Sequence, residues 1–401
     1  MSVRRGGLAL GAVALVAAFA TGSRALGVVG VGFLVAAAFT WLWAWLVDGP
    51  VSVATTLAPA PAVEGDRVTV AFDVVRSSRL PVGSLTMRLS AGRLGERTCR
   101  LRTHGRLATG KLELGRLPRG VYALSDAQVV FGDLLGLVTV TPVAACDQAT
   151  IVVRPRLVAL DGLFSDAGRA AGDGRRVLLR RPAGFDFHSV RQYEPGESLR
   201  RVHWPTSARR GELMVKELED TSHDGVVVIL DCDPRCATGD PPESSFDAAV
   251  RVAGSLVQAH AARGRLVTLV STGRARAVVP VRSVAADFDG AIGQLAAADA
   301  DALDGLSRFL AGEHSWLASG ELALVTATTD PSAFAQILAL ATRRLVSVVW
   351  VDAASFAGRP TRAEPGLLRL AAHGVPFAVV RRGDELSAVL SARGLQAVAH
   401  A

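Results

Sequence analysis

Residues 225–235 read Gly-Val-Val-Val-Ile-Leu-Asp-Cys-Asp-Pro-Arg. The run from Gly225 to Leu230 offers no polar face to water, so it predicts a strand buried on both sides, as in a parallel sheet covered by helices. The chain downstream repeats that logic. Phe246 to Ala262 has the spacing of an amphipathic helix, Leu266 to Ser271 and Glu321 to Thr326 read as strands, and Pro331 to Arg343 as a helix. Leu345 to Val351 and Val375 to Val380 are further strands. Strands alternating with helices predict an α/β domain over residues 221–401, with helices on both faces of the sheet. Ligand sites in such folds lie at the carboxyl ends of the strands. At the end of the first strand stand Asp231, Asp233 and Arg235.

Upstream, residues 184–217 read GFDFHSVRQYEPGESLRRVHWPTSARRGELMVKE. Glu194 to Glu197 predicts a turn, Ser198 to Val202 a short helix that Pro205 stops from continuing, and Leu213 to Leu218 a strand. His203 and Ser207 lie four apart, and Asp186 or Glu197 could orient the imidazole, which sketches a serine hydrolase constellation. Pro205 between them interrupts a shared helical face, and no nucleophile elbow accompanies them. The other reading is structural: Arg191, Arg200 and Arg209 pair with carboxylates such as Glu194, Glu197 and Glu212. Trp204 then anchors the segment, or the whole stretch forms a docking surface.

The same stretch resembles the hallmark of the domain-of-unknown-function 58 family. The resemblance rests on Asp186-Phe187, Ser189-Val190-Arg191, Tyr193, Pro195-Gly196, Leu199-Arg200, His203-Trp204, Ser207-Ala208-Arg209 and Glu212-Leu213, in order and in spacing. Residues Gly132 to Leu137 are similar to the family's DPxGL element, with Leu134 in place of its proline. The resemblance implies a bacterial, membrane-anchored, non-enzymatic adaptor or scaffold acting with a MoxR-type AAA+ ATPase, often beside a transglutaminase-like membrane protein. It also implies a von Willebrand factor A-like C-terminal domain. In that fold the end of the first strand resembles a DxSxS metal-ion-dependent adhesion motif. Asp231 matches; Asp233 and Arg235 stand where the two hydroxyls belong. Asp233 could still offer oxygen to Mg²⁺, whereas Arg235 facing the site would oppose a cation. Thr326 to Asp330 is a further source of a ligand, in an ambiguous register.

Between residues 51 and 155 the pattern becomes short alternating runs, among them Arg67 to Val74, Leu85 to Leu89, Gly120 to Leu124, Gln128 to Phe131 and Val138 to Val140. Period-two alternation at this spacing predicts an antiparallel β-sandwich with no catalytic group in view. Residues 156–220 join it to the α/β domain, and Arg169 to Arg181, rich in Gly and Arg, reads as a linker.

Residues 1–50 hold two apolar runs, Gly6 to Gly22 and Ala25 to Val47, separated by Arg24. The second is long enough to cross a bilayer, and the first suffices with Thr21 to Ser23 at the interface. Small residues allow close helix packing. Trp41, Trp43 and Trp45 suit an interfacial belt. Arg4 and Arg5 place the N-terminus in the cytoplasm, so a two-helix hairpin anchors cytoplasmic domains to the cell membrane. The rival is a signal peptide with Arg4-Arg5 as its basic region, which leaves the second run unexplained.

Across all 401 residues half are apolar, and the net charge is +7. A chain this long exceeds one ordinary core. The basic balance lacks runs with interleaved aromatics, so nucleic acid is not expected as a partner. Cys99, Cys146, Cys232 and Cys236 make no zinc quartet or disulfide framework. Walker and dinucleotide-binding fingerprints are missing from the sequence.

Overall fold

Ser23 opens the long helix of this protein: its hydroxyl accepts the Leu26 N–H. A computed structural model describes residues 2–3, 6–134, 138–142, 144–146, 149–160, 162–166, 187–192, 204–218, 225–312 and 320–391. It divides into two compact units, Met1–Arg156 and Leu157–Ala401. The predicted linker, Arg169 to Arg181, lies outside the described residues.

In the first unit, α1 (Gly6–Thr21) turns at Gly22 into α2 (Arg24–Val47), and the two pack on each other. The packing is close at Gly30, where a Cβ would come within 2.8 Å of Leu15 Cγ. Of the two, α2 is long and apolar enough to cross a membrane; α1 is a shorter apolar helix. Strand β1 (Ser2–Val3) precedes α1, and β2 (Val51–Ala58) follows α2. The remaining strands are β3 (Ala62–Val63), β4 (Arg67–Arg76), β5 (Ser84–Ser90), β6 (Glu96–Arg100), β7 (Arg102–His104) and β8 (Leu107–Arg116). They continue with β9 (Gly120–Gly132), β10 (Val138–Val140), β11 (Ala144–Cys146) and β12 (Ala149–Arg154). One sheet runs β1-β10-β9-β12-β3, with β5 on β9 and β6 on β5; the other runs β11-β2-β4-β8-β7.

The alternation read from the sequence supplies the shared core. Val68, Val70, Phe72 and Val74 of β4 point inward, as do Met87, Val129 and Phe131 from the other sheet. Most pairings are antiparallel, while the short β12–β3 and β11–β2 pairs are parallel. Gly120 to Leu124 and Gln128 to Phe131, expected as two strands, are one strand. Asp126 takes a φ of 53° within it, and the β5–β9 register shifts beside it, between Arg88 and Ser90. A single-residue bulge lets the strand bend without ending.

In the second unit, β13 (Phe187–Gln192) pairs antiparallel with β14 (Met214–Leu218), and α3 (Trp204–Arg210) precedes β14. A six-stranded sheet follows from β15 (Val226–Leu230), β16 (Val267–Ser271), β17 (Val278–Val281), β18 (Glu321–Thr326), β19 (Val346–Val351) and β20 (Phe377–Val380). Its order is β17-β16-β15-β18-β19-β20, parallel except for the antiparallel edge β17. The strands forecast from Val-rich runs are all present. Short β17 went unread because its Val-Val-Pro-Val is half exposed at an edge.

Both faces of this sheet are covered, and β15 divides its side chains between them. Val226, Val228 and Leu230 pack with α4 (Ser245–Ala262) and α5 (Phe288–Ala297). Val227 and Ile229 pack with α6 (Leu306–Ala311), α7 (Pro331–Ala341) and the later α9 (Pro365–Ala372), which follows α8 (Ala353–Phe356). Two apolar layers explain why the strand has no polar alternation. Leu163 and Phe164, which the sequence places in the joining segment, are buried in the first of these layers.

Candidate functional site

From β15 the chain crosses to β16 on one side, and after β17 it returns to β18 on the other side of β15, so the carboxyl ends of β15 and β18 form the topological switch point where α/β folds open a crevice. Asp231 sits there. Its N–H donates to the Val325 carbonyl at 2.9 Å, which places its side chain beside Thr326. The Thr326 hydroxyl donates to Asp231 Oδ2 at 2.6 Å, and the Asp233 N–H donates to Asp231 Oδ1 at 3.2 Å. Behind them, the Thr328 N–H donates to Thr326 Oγ1 and the Asp330 N–H to Thr328 Oγ1. The Trp350 indole N–H donates to the Thr328 carbonyl at 2.9 Å. Burial raises the Asp231 carboxyl to about 6 despite these donors.

Asp233 is clasped by its own neighbour. Arg235 donates to Oδ1 through its backbone N–H at 2.9 Å and through Nε at 3.0 Å, and to Oδ2 through Nη2 at 2.6 Å. Burial works against the Asp233 carboxylate, but the Arg235 hydrogen bonds and charge outweigh it, and its pKa lies below the usual range. The Arg235 pKa is raised by the same pairing. Its side chain remains 73% exposed. It lines an open cleft of about 380 Å³ with Pro234, Leu303, Gly305 and Arg308. Asp304, also on the cleft, accepts from Arg276 at 2.8 Å and from Arg308 at 3.2 Å.

The two thiols nearby are poor nucleophiles. Burial pushes Cys232 up to about 12, with the Asp231 charge adding to it. Burial, then Asp231 and Asp233, does the same for Cys236. The thiolate is the reactive form. Asp330 caps α7, accepting from the Ser332 N–H and hydroxyl and from Ser307, which holds its carboxylate below the ordinary range.

A DxSxS motif holds a divalent ion through carboxylate and hydroxyl oxygens, and the groups at these positions are already engaged. Both Asp233 oxygens face a guanidinium, and Thr326 and the Asp233 amide take up the two Asp231 oxygens. Position 235 brings a positive charge where a hydroxyl would be needed. The arrangement does not fit Mg²⁺, a hard cation that takes oxygen ligands. Among the described residues, no group of three or more His, Cys, Asp or Glu could hold a metal ion.

The signature stretch contributes a second locus within the same unit. Asp186, Tyr193, Gly196, Arg200 and His203 lie outside the described residues, as do Glu194, Glu197 and the predicted Ser198 to Val202 helix. Arg191 is placed by its backbone on β13, opposite Val215. Pro205 stands in the first turn of α3, where its missing N–H costs nothing. Ser207 is buried on that helix, and its hydroxyl accepts the N–H of buried Met214 at 2.9 Å. Trp204 is 64% exposed, and Arg209 and Glu212 are exposed with it. Ser207→Ala is expected to cost about 1–3 kcal/mol, because it leaves the Met214 N–H buried without that acceptor. Urea unfolding of the variant beside the native chain measures it.

Sequence reading missed Thr272, whose hydroxyl accepts the Cys232 N–H at 2.8 Å, and also Asp304. For Thr272 the available signal was its place directly after the predicted strand Leu266 to Ser271.

The geometry sets two features side by side in sequence: the β13–α3–β14 hairpin with its exposed Trp and Arg, and the Asp-Cys-Asp-Pro-Arg turn after β15. Residues 189–309 match the family model described as Protein of unknown function DUF58. The DUF58 match thus covers most of the hairpin, β15 with its Asp231–Arg235 turn, and the chain as far as α6. The chain is also similar to the uncharacterized protein YeaD of Bacillus subtilis (strain 168), 28% identical over 204 residues, which are 51% of this chain and 49% of that protein. It therefore spans about half the length of this curated relative. Among solved structures, Cwp6 from Clostridium difficile aligns with a TM-score of 0.16 and 12% identity, over 83% of this chain and 37% of that one. So low a score carries no weight for the fold.

Proposed function

We propose that this chain is a membrane-anchored, non-enzymatic adaptor whose von Willebrand factor A-like domain presents the β15–β18 strand ends to a protein partner. The observation that carries the reading is the chemistry at those strand ends. Each reactive group among the described residues there is held inert: Asp233 by Arg235, Asp231 by burial and Thr326, and both thiols by raised pKa. What remains exposed is the Arg235 guanidinium, held in place by buried Asp233 beside a cleft, which suits recognition more than bond making. The sheet order, with one antiparallel edge strand, supports the A-like description. Family resemblance points to a MoxR-type AAA+ ATPase as the partner, which would supply the energy that this sequence has no nucleotide motif to harvest, and to a transglutaminase-like membrane protein nearby.

The anchor in this reading is the α1–α2 pair as a hairpin in the cell membrane, with the remainder cytoplasmic. Both ends of the pair return to one sandwich: Ser2 and Val3 pair with Thr139 and Val138, and Val51 starts β2 just beyond α2. Adhesion-type docking through Mg²⁺ is set aside for the donor geometry described above.

Affinity purification of the full-length protein from membranes, with Mg²⁺ and with a chelator, tests both parts. Recovery of an AAA+ ATPase, unaffected by chelator and reduced in Arg235→Ala, is the expected result. A chelator-sensitive interaction that Asp231→Ala abolishes would restore a metal-dependent mode. An intact, abundant bait that brings down no ATPase would remove the assigned partner. The alternative, a hydrolase using Ser207 and His203, is less well supported because the Ser207 hydroxyl is buried and engaged by Met214. Labelling by a serine-directed probe, lost in Ser207→Ala, would favour it.

A further inference from the structure

We propose that the helix-proximal end of the β-sandwich itself rests on an anionic lipid surface, with Leu80 and Leu134 dipping into the apolar boundary and Arg79 and Arg106 facing the phosphates. The inference rests on the reading of α2 as a membrane span and adds a second, peripheral contact to it.

The geometry begins with Trp43. Its indole N–H donates to the Pro81 carbonyl at 2.9 Å, and Trp43, Ala44 and Val47 are buried in the sandwich core. From Arg24 to Leu42 the helix rises about 28 Å at about 1.5 Å per residue, which only just matches a hydrocarbon thickness of about 30 Å. The sandwich that grips Trp43 therefore begins where the hydrocarbon ends. On the other sides of this part of the helix, Trp41, Leu42, Trp45 and Leu46 are exposed, as residues in an interfacial belt would be.

The loops around that exit form a collar. The β4–β5 loop carries exposed Arg79 and Leu80. The Gly83 N–H donates to the Gly132 carbonyl, which brings in the β9–β10 turn and its 67% exposed Leu134. Buried Arg76 fastens the third loop: its guanidinium donates to the Leu80 carbonyl at 3.2 Å and to the Gly105 carbonyl. Arg106 and Leu107, both exposed, are thereby fixed at the same end. Asp48, the C-cap of α2, is the exposed acidic residue among these loops, against Arg79 and Arg106. Apolar tips flanked by arginines and continuous with an apolar helix fit a bilayer surface with anionic headgroups.

The test places the photoreactive residue p-benzoylphenylalanine at single positions of the full-length chain, reconstituted into vesicles of phosphatidylcholine and phosphatidylglycerol. Phe39, exposed on α2, reports the span; Val121, exposed at the opposite end of β9, reports background. Crosslinking to lipid at Leu134, comparable with Phe39 and far above Val121, is expected. Arg79→Glu combined with Arg106→Glu should lower the Leu134 yield about tenfold in these vesicles. Lipid crosslinks at Phe39 but background at Leu134 would overturn the inference and leave the span standing. Background at both positions would overturn the span and the inference together. Crosslinks at Leu134 to protein alone would replace the lipid surface by a protein interface.

Discussion

Phe334→Ala is expected to destabilise the second unit by about 3–5 kcal/mol, the range for deleting a fully buried aromatic ring. Phe334 is 0% exposed on α7. It belongs to the apolar layer that includes Leu306, Phe309, Ile337, Leu367 and Leu370, against Val227 and Ile229 of β15. The fit is tight. Gly366 lies so close over the ring that a Cβ there would approach Phe334 Cδ2 to 2.3 Å, so position 366 offers no side chain that could fold into the void. Relaxation is limited on that side, which favours the upper part of the range. Hydrogen exchange of the β15 amides in the full-length protein gives the measurement. Amides protected by global opening should exchange faster by two to more than three orders of magnitude. An acceleration below tenfold would mean that the layer can collapse around the cavity.

The second large effect is a pH dependence centred on Asp231. Its carboxyl titrates near 6 in the folded protein, against 3.8 as the ordinary value, with burial as the leading cause. As the pH rises from about 4 to about 6, the unfolded chain has released this proton while the folded chain still holds it. Stability from this group is therefore complete below pH 4 and falls as the pH rises through 6, by about 3 kcal/mol in total. Asp233 and Asp330 are held below the ordinary range. Their contributions have the opposite sign and are lost only at lower pH, so the two effects separate. Asp231→Asn should abolish the slope between pH 4 and 6, since an amide can face Thr326 and the Asp233 N–H without ionising. Urea unfolding at several pH values, read as the protection of β15 and β18, checks it. An unchanged slope in Asp231→Asn would assign it to another group.

Much of the architecture was legible because its signals are local. The Val-rich runs at residues 226–230, 321–326 and 346–351 are strands because unbroken apolar stretches of that length need cover on both faces. The sandwich strands were legible from alternation, with Val68, Val70, Phe72 and Val74 as the plainest case. Two helices in the first fifty residues followed from apolar composition, with Arg24 and Gly22 marking the turn. Less legible were the elements whose local pattern is ambiguous. Asp126 reads as a break between two strands, yet pairing on either side carries β9 through it. The helix over Trp204 to Arg210 was not read as an element, because a proline is as compatible with a first helical turn as with a stop.

What the sequence determined by itself was the kind of surface each segment must bury, and hence the layers: an apolar helix pair, a sandwich and a covered parallel sheet. It also placed Asp231 and Asp233 at a strand end. Only the tertiary structure decided what those carboxylates do. Thr326 reaches Asp231 across 95 residues of chain because β15 and β18 are neighbours in the sheet. Arg235 turns back onto Asp233 because the short helical turn after Asp233 directs its guanidinium there. Hydrophobic periodicity is a property of adjacent residues, whereas a hydrogen bond between distant strands depends on sheet order, which no single segment encodes.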